Sequence, residues 1–493
     1  MKYLGLLSFL FLPYVELQGT HIRGGEITYK RISDVTLTMY HDTQSPVRSG
    51  DGLINFGDGR EVQIDLEASS FEDGLFIGHN QEIEWFRIKI IHTYSAPGSY
   101  SVTYMEPNRN DEIVNINHGN GSYANNNQIP FYLESWLVID QVIGVNNSPE
   151  FNTFPVDFGY VGSTFTHNPW AWDPDGDSLA YRLIIPRKHA DTLVTNYQKP
   201  NDTDFYLSPT NWNFANETGD GPATWKINPF TGDLVWDAPG NFIQNSSGPF
   251  SEYNIAFLVE EWRKVEGSWR RIGHVTRDFL IIITPEEIGR PDFTVPDEVM
   301  LTTAEIVQET ITFHDPDGDP IRVEFFGEVF DLQNSPMQVT PAPGDFTNGP
   351  LSLTFEWLPL PEHIRDRPYY VHLKLTDKPQ DGQLNPSVTY KTWIITANAL
   401  PDIVTELDED QALKQLELFP NPAKNILNWN PINITGGESP KLVVYNSLGQ
   451  QTISLDLTSS RIREIDISNL PTGLYFVQLY SQKDNYRGVF IKQ

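Results

Sequence analysis

Two short acidic turns carry the residues whose types and spacing are best suited to chemistry. Each has the form Asp-Pro-Asp-Gly-Asp, and together they supply carboxylates at Asp173, Asp175, Asp177, Asp315, Asp317 and Asp319. Three carboxylates at alternate positions, on a loop bent by glycine, can converge on one hard cation such as Ca²⁺, which takes about six to eight oxygen ligands. Without a cation they would repel one another. We therefore predict Ca²⁺ at both turns, and a solvated β-turn that needs no ion is the alternative.

The spacing within these turns differs from that of an EF-hand loop. Gly176 and Gly318 stand at the fourth position of the loop, whereas an EF-hand has its glycine at the sixth. Ile184 and Phe326 stand at the twelfth position, where an EF-hand has a bidentate Glu. The EF-hand is therefore the wrong template for either turn.

The acidic turns resemble the calcium sites of cadherin-like domains more closely. In that template, Glu261 and Asp377 would each add a carboxylate from a later strand of the same sandwich. If the two sites fill independently, Asp175→Asn and Asp317→Asn should each remove part of the stabilisation that calcium provides.

No other motif in the sequence indicates catalysis. H-E-x-x-H, G-x-S-x-G and G-x-x-x-x-G-K-[ST] do not occur, and without Cys there is no thiol chemistry. His92 is predicted to pack or to hydrogen-bond within a strand. The 65 acidic residues could still supply a carboxylate pair for glycoside cleavage, because such pairs are spatial and not sequential. Sugar stacking stays open for five tryptophans, most of which are predicted to be core: Trp170, Trp172, Trp212, Trp225 and Trp236.

The elements that position the acidic turns are predicted to be strands. The 493-residue chain contains 28 Phe, 21 Tyr and 12 Trp, which favour strands, and 35 Gly and 36 Pro, which supply turns. Long helical periodicity is not evident after the first 20 residues. The length allows roughly three to four domains. The predicted fold class is all-β, a series of β-sandwiches.

Residues 20–145 form the first predicted unit. A turn at Asn55-Phe56-Gly57-Asp58-Gly59 follows a strand, and Pro97-Gly98 precedes a second strand in which Tyr100 and Val102 point to one face. Together these stretches resemble the PKD-like sandwich, whose members often carry a Trp or Phe before Gly-Asp-Gly; here Phe56 takes that aromatic place. The resemblance implies a fold and no chemistry.

Residues 146–286 and 290–398 are predicted to be an internal repeat. In each, the acidic turn is followed by a short strand that ends in tryptophan, Leu234-Val235-Trp236 or Phe355-Glu356-Trp357. A longer strand then follows at 253–261 or 369–377. Both units resemble the cadherin-like and dystroglycan-type immunoglobulin-like sandwiches of bacterial surface proteins.

The two ends of the chain carry export signals. Residues 1–19 are predicted to be a secretory signal peptide, with Lys2 before a short apolar core and Gly19 at the cleavage point. Residues 399–414 are predicted to be an acidic linker. Residues 415–493 contain Leu418-Phe419-Pro420-Asn421-Pro422-Ala423 and a Pro471-Thr472-Gly473 turn before a terminal strand. In order and spacing this small sandwich resembles the C-terminal sorting domain of the type IX secretion system.

The N-terminal half also resembles a family. Residues 21–29, 130–140 and 254–262 are similar to the start of large surface proteins associated with gliding motility. Many such relatives carry Cys at two places where this chain has Val145 and Tyr160, so the disulfide that the resemblance would imply cannot form. The fold expectation is unchanged, and no substrate follows from it.

The net charge and the hydropathy of the chain limit the classes of partner that it is expected to bind. The formal net charge of −31 argues against nucleic acid and against electrostatic docking on anionic lipid. After residue 19 no apolar run reaches 18 residues, so no helical membrane anchor is predicted. The sequence therefore predicts a non-enzymatic protein, secreted or on the outer cell surface, that acts as an adhesin or a presenting scaffold. Its expected partners are the type IX secretion machinery and surface glycans or other proteins. A carbohydrate-binding module and an unrecognised hydrolase are the alternatives.

Overall fold

The structure is a computed structural model of the 493-residue chain. The residues that it describes are 22–31, 34–42, 52–64, 72–78, 81–110, 113–117, 128–206, 211–240, 250–285, 288–296, 298–302, 305–378, 385–398, 414–430, 440–446, 449–457, 463–480 and 485–493. The predicted signal peptide, and the predicted linker up to residue 413, lie outside these ranges. The chain forms two compact units, residues 1–397 and 398–493.

The first predicted span, 20–145, folds into strands as expected. These are β1 Ile22–Lys30, β2 Asp34–Asp42, β3 Leu53–Asn55, β4 Glu61–Gln63, β5 Glu72–Gly78, β6 Gln81–Ile90, β7 Gly98–Glu106 and β8 Phe131–Ile139. The predicted turn joins β3 to β4, and β7 begins at the predicted Pro-Gly turn. His92 lies two residues after β6 and not within the predicted strand, but it does pack and bond: its ring stacks on Phe56 at 3.9 Å and its Nε2 lies 3.0 Å from Asp58.

The second span, 146–286, contains shorter strands and one long hairpin. The strands are β9 Glu150–Phe151, β10 Val156–Tyr160, β11 Phe165–His167, β12 Ala171–Trp172, β13 Ser178–Ile184, β14 Arg187–His189, β15 Thr192–Leu193, β16 Trp225–Ile227, β17 Leu234–Trp236, β18 Ser251–Val265 and β19 Ser268–Thr284. Single 3-10 turns occur at Thr203–Phe205 and Trp212–Phe214. The hairpin of β18 and β19 supplies the longest strands of the described chain.

Strand β19 joins the first two spans into one sheet. It pairs with β8 and β1 of the first span, and with β18 and β10 of the second. Its 17 residues extend roughly 58 Å at about 3.4 Å per residue, which is enough to run through both spans. The resulting 12-stranded sheet has the order β4-β3-β7-β8-β19-β1-β2-β6-β5 and includes β10, β13 and β18 beside it. The sheet thus crosses the boundary predicted at 145/146, whose exact position stays a prediction.

Buried ion pairs reinforce this connection. Arg109 donates to both carboxylate oxygens of Asp278, at 3.0 and 2.8 Å. Arg277 pairs with Glu26 at 3.1 Å, also out of contact with solvent. In both pairs one partner lies on β19 and the other in the first span. Because an isolated buried charge is very costly, these pairs hold the two spans in one arrangement.

The third span, 290–398, forms two facing sheets. Its strands are β20 Asp292–Phe293, β21 Val299–Thr302, β22 Val307–His314, β23 Pro320–Phe326, β24 Gln338–Thr340, β25 Thr347–Asn348, β26 Leu351–Trp357, β27 Tyr369–Asp377 and β28 Val388–Asn398. The sheet orders are β20-β22-β26-β24 and β21-β28-β27-β23-β25. Single 3-10 turns occur at Glu328–Phe330 and Pro361–His363.

The C-terminal unit is a small sandwich of its own. Its strands are β29 Lys414–Gln415, β30 Leu418–Phe419, β31 Ile426–Trp429, β32 Lys441–Asn446, β33 Gln451–Asp456, β34 Glu464–Asp466, β35 Gly473–Tyr480 and β36 Asn485–Lys492. The sheets have the orders β29-β36-β35-β32-β33 and β30-β31-β34. The predicted terminal strand is β36, which pairs along its whole length with β35.

Each predicted folded span has its own apolar core. The four main clusters are centred on Ile54 and Val102, on Trp236 and Phe257, on Phe355 and Trp393, and on Leu442 and Val477. The tryptophans that end β17 and β26 are both buried, at 0% and 1% exposure. The prediction of an all-β fold is confirmed.

Candidate metal sites

The first acidic turn connects β12 to β13. The Oδ1 atom of Asp173 accepts hydrogen bonds from the backbone N–H groups of Asp175 and Asp177, at 2.9 and 3.0 Å. Gly176 adopts a φ of +81°, a left-handed conformation that glycine permits without steric cost. As a result the three carboxylates each place an oxygen within 4.8 Å of the others.

The second acidic turn connects β22 to β23 and is built in the same way. The Oδ1 atom of Asp315 accepts from the N–H groups of Asp317 and Asp319, at 2.9 and 3.0 Å. Gly318 has a φ of +82°, and the three carboxylates again lie within 4.8 Å of one another. The two predicted triads are therefore assembled in space, each on one turn.

The segment that precedes each span is bonded to its acidic turn. The N–H of Asn147 donates to Asp175 at 2.6 Å, and the N–H of Gly289 donates to Asp317 at 2.6 Å. The middle aspartate of each turn thus holds the start of its own span. The sequence did not predict either contact, although both residues lie 28 positions before the aspartate they contact.

The two later carboxylates occupy equivalent places in the repeat. Glu261 on β18 pairs with Leu179, two residues after the first turn. Asp377 on β27 pairs with Ile321, two residues after the second turn. Both side chains are buried, at 0% and 1% exposure. The fourth carboxylate of each predicted set therefore lies at the same register beside its acidic turn.

The carboxyl of Asp377 is only half satisfied. Its Oδ1 accepts from the N–H of Ser387 at 2.6 Å, but within the described part of the chain its Oδ2 has no hydrogen-bond partner. Burial, followed by the negative charges of the second turn, raises the pKa of Asp377 to about 8. The Oδ2 of Asp315 is likewise buried without a described partner. An unpartnered buried oxygen is costly unless a cation or proton supplies what it lacks.

Both carboxylate oxygens of Glu261, unlike those of Asp377, have hydrogen-bond partners. Its two oxygens accept from Asn146 at 2.8 Å and from the hydroxyl of Tyr29 at 3.3 Å. Burial, and then the charge of Asp173, raise the pKa of Glu261. Burial also raises the pKa of Asp173, to about 6, with the neighbouring aspartates adding to the effect. The Oδ2 of Asp173 is the oxygen at this turn that has no described partner.

A guanidinium already lies at the first turn. Arg263 donates through Nε to Asp177 at 2.7 Å and through Nη2 to the other oxygen of the same carboxylate. Its Nη1 is held by the carbonyl oxygens of Ile143 and Val145. At the second turn, no described Lys or Arg forms an ion pair with Asp315, Asp317 or Asp377. Sequence reasoning missed Arg263, although it lies two residues after Glu261 and so on the same strand face.

The structure also places the residues considered for the two alternative functions, a hydrolase and a sugar-binding module. Between the second and third spans the described residues form an open cleft, whose lining includes Asp173 and Glu328. Burial raises the pKa of Asp173, and Glu328 pairs with Arg365 and Arg367. Of the five tryptophans considered for sugar stacking, Trp170 and Trp236 are buried and the other three are half-buried.

Comparison with known proteins assigns the C-terminal unit. Residues 417–493 match the family model described as Secretion system C-terminal sorting domain. Curated protein sequences give no significant match to the chain. Within the described residues, no helix has the length and apolarity needed to cross a membrane.

Solved structures give only distant similarities. The N-terminal eight Ig domains of Down Syndrome Cell Adhesion Molecule align at 10% identity and TM-score 0.18, over 96% of this chain and 49% of that one. Human Protocadherin-24 EC1-2 aligns at 14% identity and TM-score 0.16, over 52% of this chain and 100% of that one. The sialic acid binding region of the Streptococcus Sanguinis SK1 adhesin aligns at 13% identity and TM-score 0.19, over 55% and 82%. The chain spans about half the length of the first of these structures.

The order of strands in the C-terminal unit and the family match agree on its identity. The strands run from β30, which contains the predicted Leu418-Phe419, to β36. The match covers this whole set of strands after β29. The chain therefore carries a C-terminal sorting domain of the type IX secretion system, at residues 417–493.

Proposed function

We propose that the protein is a non-enzymatic scaffold outside the cell, which acts as an adhesin or presents a binding face. The observation that carries this proposal is the sorting domain at 417–493, because it directs the preceding sandwiches to the type IX secretion route. The spans that precede it offer large buried cores and hydrogen-bonded sheets, which suit a scaffold.

Rigidity supports a presenting role. The first and second spans share β19 and two buried ion pairs. The second and third spans are joined by a polar network, in which Asn168 and Thr392 both donate to Asp233 at 2.8 Å. The backbone N–H of Tyr390 also donates to Thr166 across the same junction, at 2.8 Å. Such buried polar contacts fix the orientation of neighbouring domains, which suits a spacer that must hold a surface away from the cell.

Calcium completes the proposed scaffold, and it binds the second acidic turn more tightly than the first. Asp315 and Asp377 each offer a buried oxygen that has no described partner, and carboxylate oxygen is the donor that Ca²⁺ prefers. At the first turn, the guanidinium of Arg263 already neutralises Asp177. A cation arriving there would gain fewer free carboxylate oxygens and would be repelled by the arginine.

Thermal unfolding tests the calcium part. The full chain should melt at a higher temperature in calcium than in chelator, with a gain of about 2.7 kcal/mol when calcium is one hundred times Kd. Asp317→Asn should remove most of this gain, whereas Asp175→Asn, the matched change at the first turn, should remove little. If the two variants lost equal amounts of calcium stabilisation, the proposed difference in calcium affinity between the turns would be wrong. If calcium left the melting temperature unchanged, the metal proposal would be refuted.

Export and adhesion test the function itself. Deleting residues 415–493 should trap the protein in the periplasm, because the sorting domain is then missing. Cells that produce the full chain should adhere to a surface more strongly than cells that produce the truncated one. Undiminished surface display of the truncated chain would refute the sorting role. Normal display without any difference in adhesion would refute the adhesin role.

A further inference from the structure

The cleft between the second and third spans has the features of a ligand site. It opens to solvent, and its lining combines aromatic side chains with charged groups from both spans. Its second-span wall includes Trp172 and Phe230, and its third-span wall includes Phe326 and Tyr370. Ligand sites are often found where two domains meet. Aromatic rings on both walls of one open cleft give it faces on which a flat apolar surface can stack.

One of these rings is displayed to solvent on a rigid turn. Phe230 is 66% exposed, although its loop is well ordered by hydrogen bonds. The side chain of Asn228 accepts from the N–H of Phe230 at 2.9 Å, and the N–H of Asn228 donates to Asp233 at 2.8 Å. Gly232 in the same loop lies directly against the ring of Tyr181, where a Cβ would come within 2.8 Å. The loop therefore holds an apolar ring in water without burying it.

The opposite wall is fixed as firmly. Trp170 stacks on Phe326 at 5.9 Å across the junction, and Phe326 stacks in turn on His372 at 6.3 Å. Tyr370 continues this row of rings, 6.0 Å from His372. Because Trp170 of the second span packs on this row, the third-span wall is held against the second span before any ligand arrives, and a ligand would lose little free energy in ordering it.

The polar groups of the cleft indicate the charge of its ligand. Arg365 and Arg367 both pair with Glu328, the latter at 2.9 Å. With Asp173, the lining carries two positive and two negative groups. The whole chain has a net charge of −31, so a strongly anionic ligand would be repelled. Planar guanidinium and carboxylate groups in such pairs can donate to and accept from neighbouring hydroxyl groups.

We infer that this cleft binds an uncharged saccharide, whose C–H face stacks on Phe230 and Trp172 while its hydroxyls bond to the Arg365–Glu328–Arg367 cluster. This inference rests on the proposed function, for which it supplies the ligand class. An open cleft admits a segment of a longer polysaccharide, so the protein would attach to an external glycan through the junction of its second and third spans.

Calorimetric titration of the full chain tests the inference. The panel contains neutral hexasaccharides of β-1,4-glucose, β-1,4-mannose, α-1,4-glucose and N-acetylglucosamine, with polygalacturonate as a charged comparison. At least one neutral member should bind. Phe230→Ala and Trp172→Ala should each weaken its binding roughly tenfold, because each removes a stacking face.

The chain offers matched controls. Phe214 and Trp269 are 59% and 53% exposed and do not line the cleft. Phe214→Ala and Trp269→Ala should therefore leave saccharide binding unchanged. Because Phe230 is mostly exposed, its variant should keep the melting temperature of the unaltered chain, which shows that a loss of binding is not a loss of folding.

Three results would overturn the inference. They are no binding of any neutral member at millimolar concentration, an equal loss in the control variants, and a preference for polygalacturonate. Adhesion of cells that persists in Phe230→Ala and Trp172→Ala would refute the cleft but leave the scaffold function standing. Failure of export or adhesion in the unaltered chain would instead refute the scaffold function.

Discussion

The buried ion pair between Arg109 and Asp278 provides a sharp test of the shared sheet. Their side chains are 2% and 1% exposed, and the guanidinium contacts both carboxylate oxygens. Asp278→Asn keeps the size of the side chain and one acceptor oxygen but removes the negative charge. Arg109 would then remain buried without a counter-ion. Removing one partner of a buried pair costs about 3–5 kcal/mol.

Urea-induced unfolding of the full chain, followed by tryptophan fluorescence, measures this loss. We expect Asp278→Asn to lower the free energy of unfolding by about 3–5 kcal/mol. The pair between Lys30 and Glu150 is the matched control. It joins the same two spans at 3.1 Å, but its side chains are 64% and 36% exposed. Glu150→Gln should cost only about 0–1 kcal/mol, because exposed ion pairs are weak.

Two results would refute this reasoning. If Asp278→Asn cost no more than the exposed pair, about 1 kcal/mol, the buried pair would not hold the spans together. If the first and second spans unfolded in separate transitions, β19 would not couple them. A single transition that shifts to lower urea is the expected outcome.

Three further predictions follow from the same contacts. Expressed alone, residues 20–145 should show no cooperative melting, whereas residues 20–286 should show it, because only the longer piece contains β19. Burial lowers the pKa of His372 from 6.5 to about 3, so stability that is complete above pH 6.5 should fall as pH decreases toward 3. His372→Gln should make the melting temperature less dependent on pH over this interval, and an unchanged pH profile would contradict that role. Arg263→Gln should lower the free energy of unfolding in chelator by about 1–3 kcal/mol, because the buried carboxylate of Asp177 loses its partner. Added calcium should then stabilise this variant by more than it stabilises the unaltered chain.

Local features of the fold could be predicted from the sequence because they depend on short-range chemistry. The Asp-Pro-Asp-Gly-Asp pattern specifies a turn with glycine at a positive φ, and both turns have it. The repeat placed Glu261 and Asp377 at matching positions, and the strand register agrees. Alternating apolar residues similarly indicated the strands of the C-terminal unit.

Contacts between distant segments could not be predicted in this way. Nothing in the composition of residues 268–284 shows that this strand pairs with β1 and β8, because strand alternation specifies which face is buried and not which neighbour is bonded. The neutralisation of Asp177 by Arg263 depends on that same tertiary arrangement. The cleft needs side chains from two spans that are far apart in the sequence.

The central position of β19 has a consequence for the order in which the chain can fold. In the strand order it connects β8 to β1, so without it the strands of the first span form two sheets, β4-β3-β7-β8 and β1-β2-β6-β5, that share an apolar core but are not joined by a strand. Residues 22–139 precede residues 268–284 in the chain, and until β19 joins them both sheets have an open strand edge. Open edges readily pair with other chains. The N-terminal segment, although it is synthesised first, therefore completes its sheet only when residues 268–284 join it, and its open strand edges can pair with other chains until then.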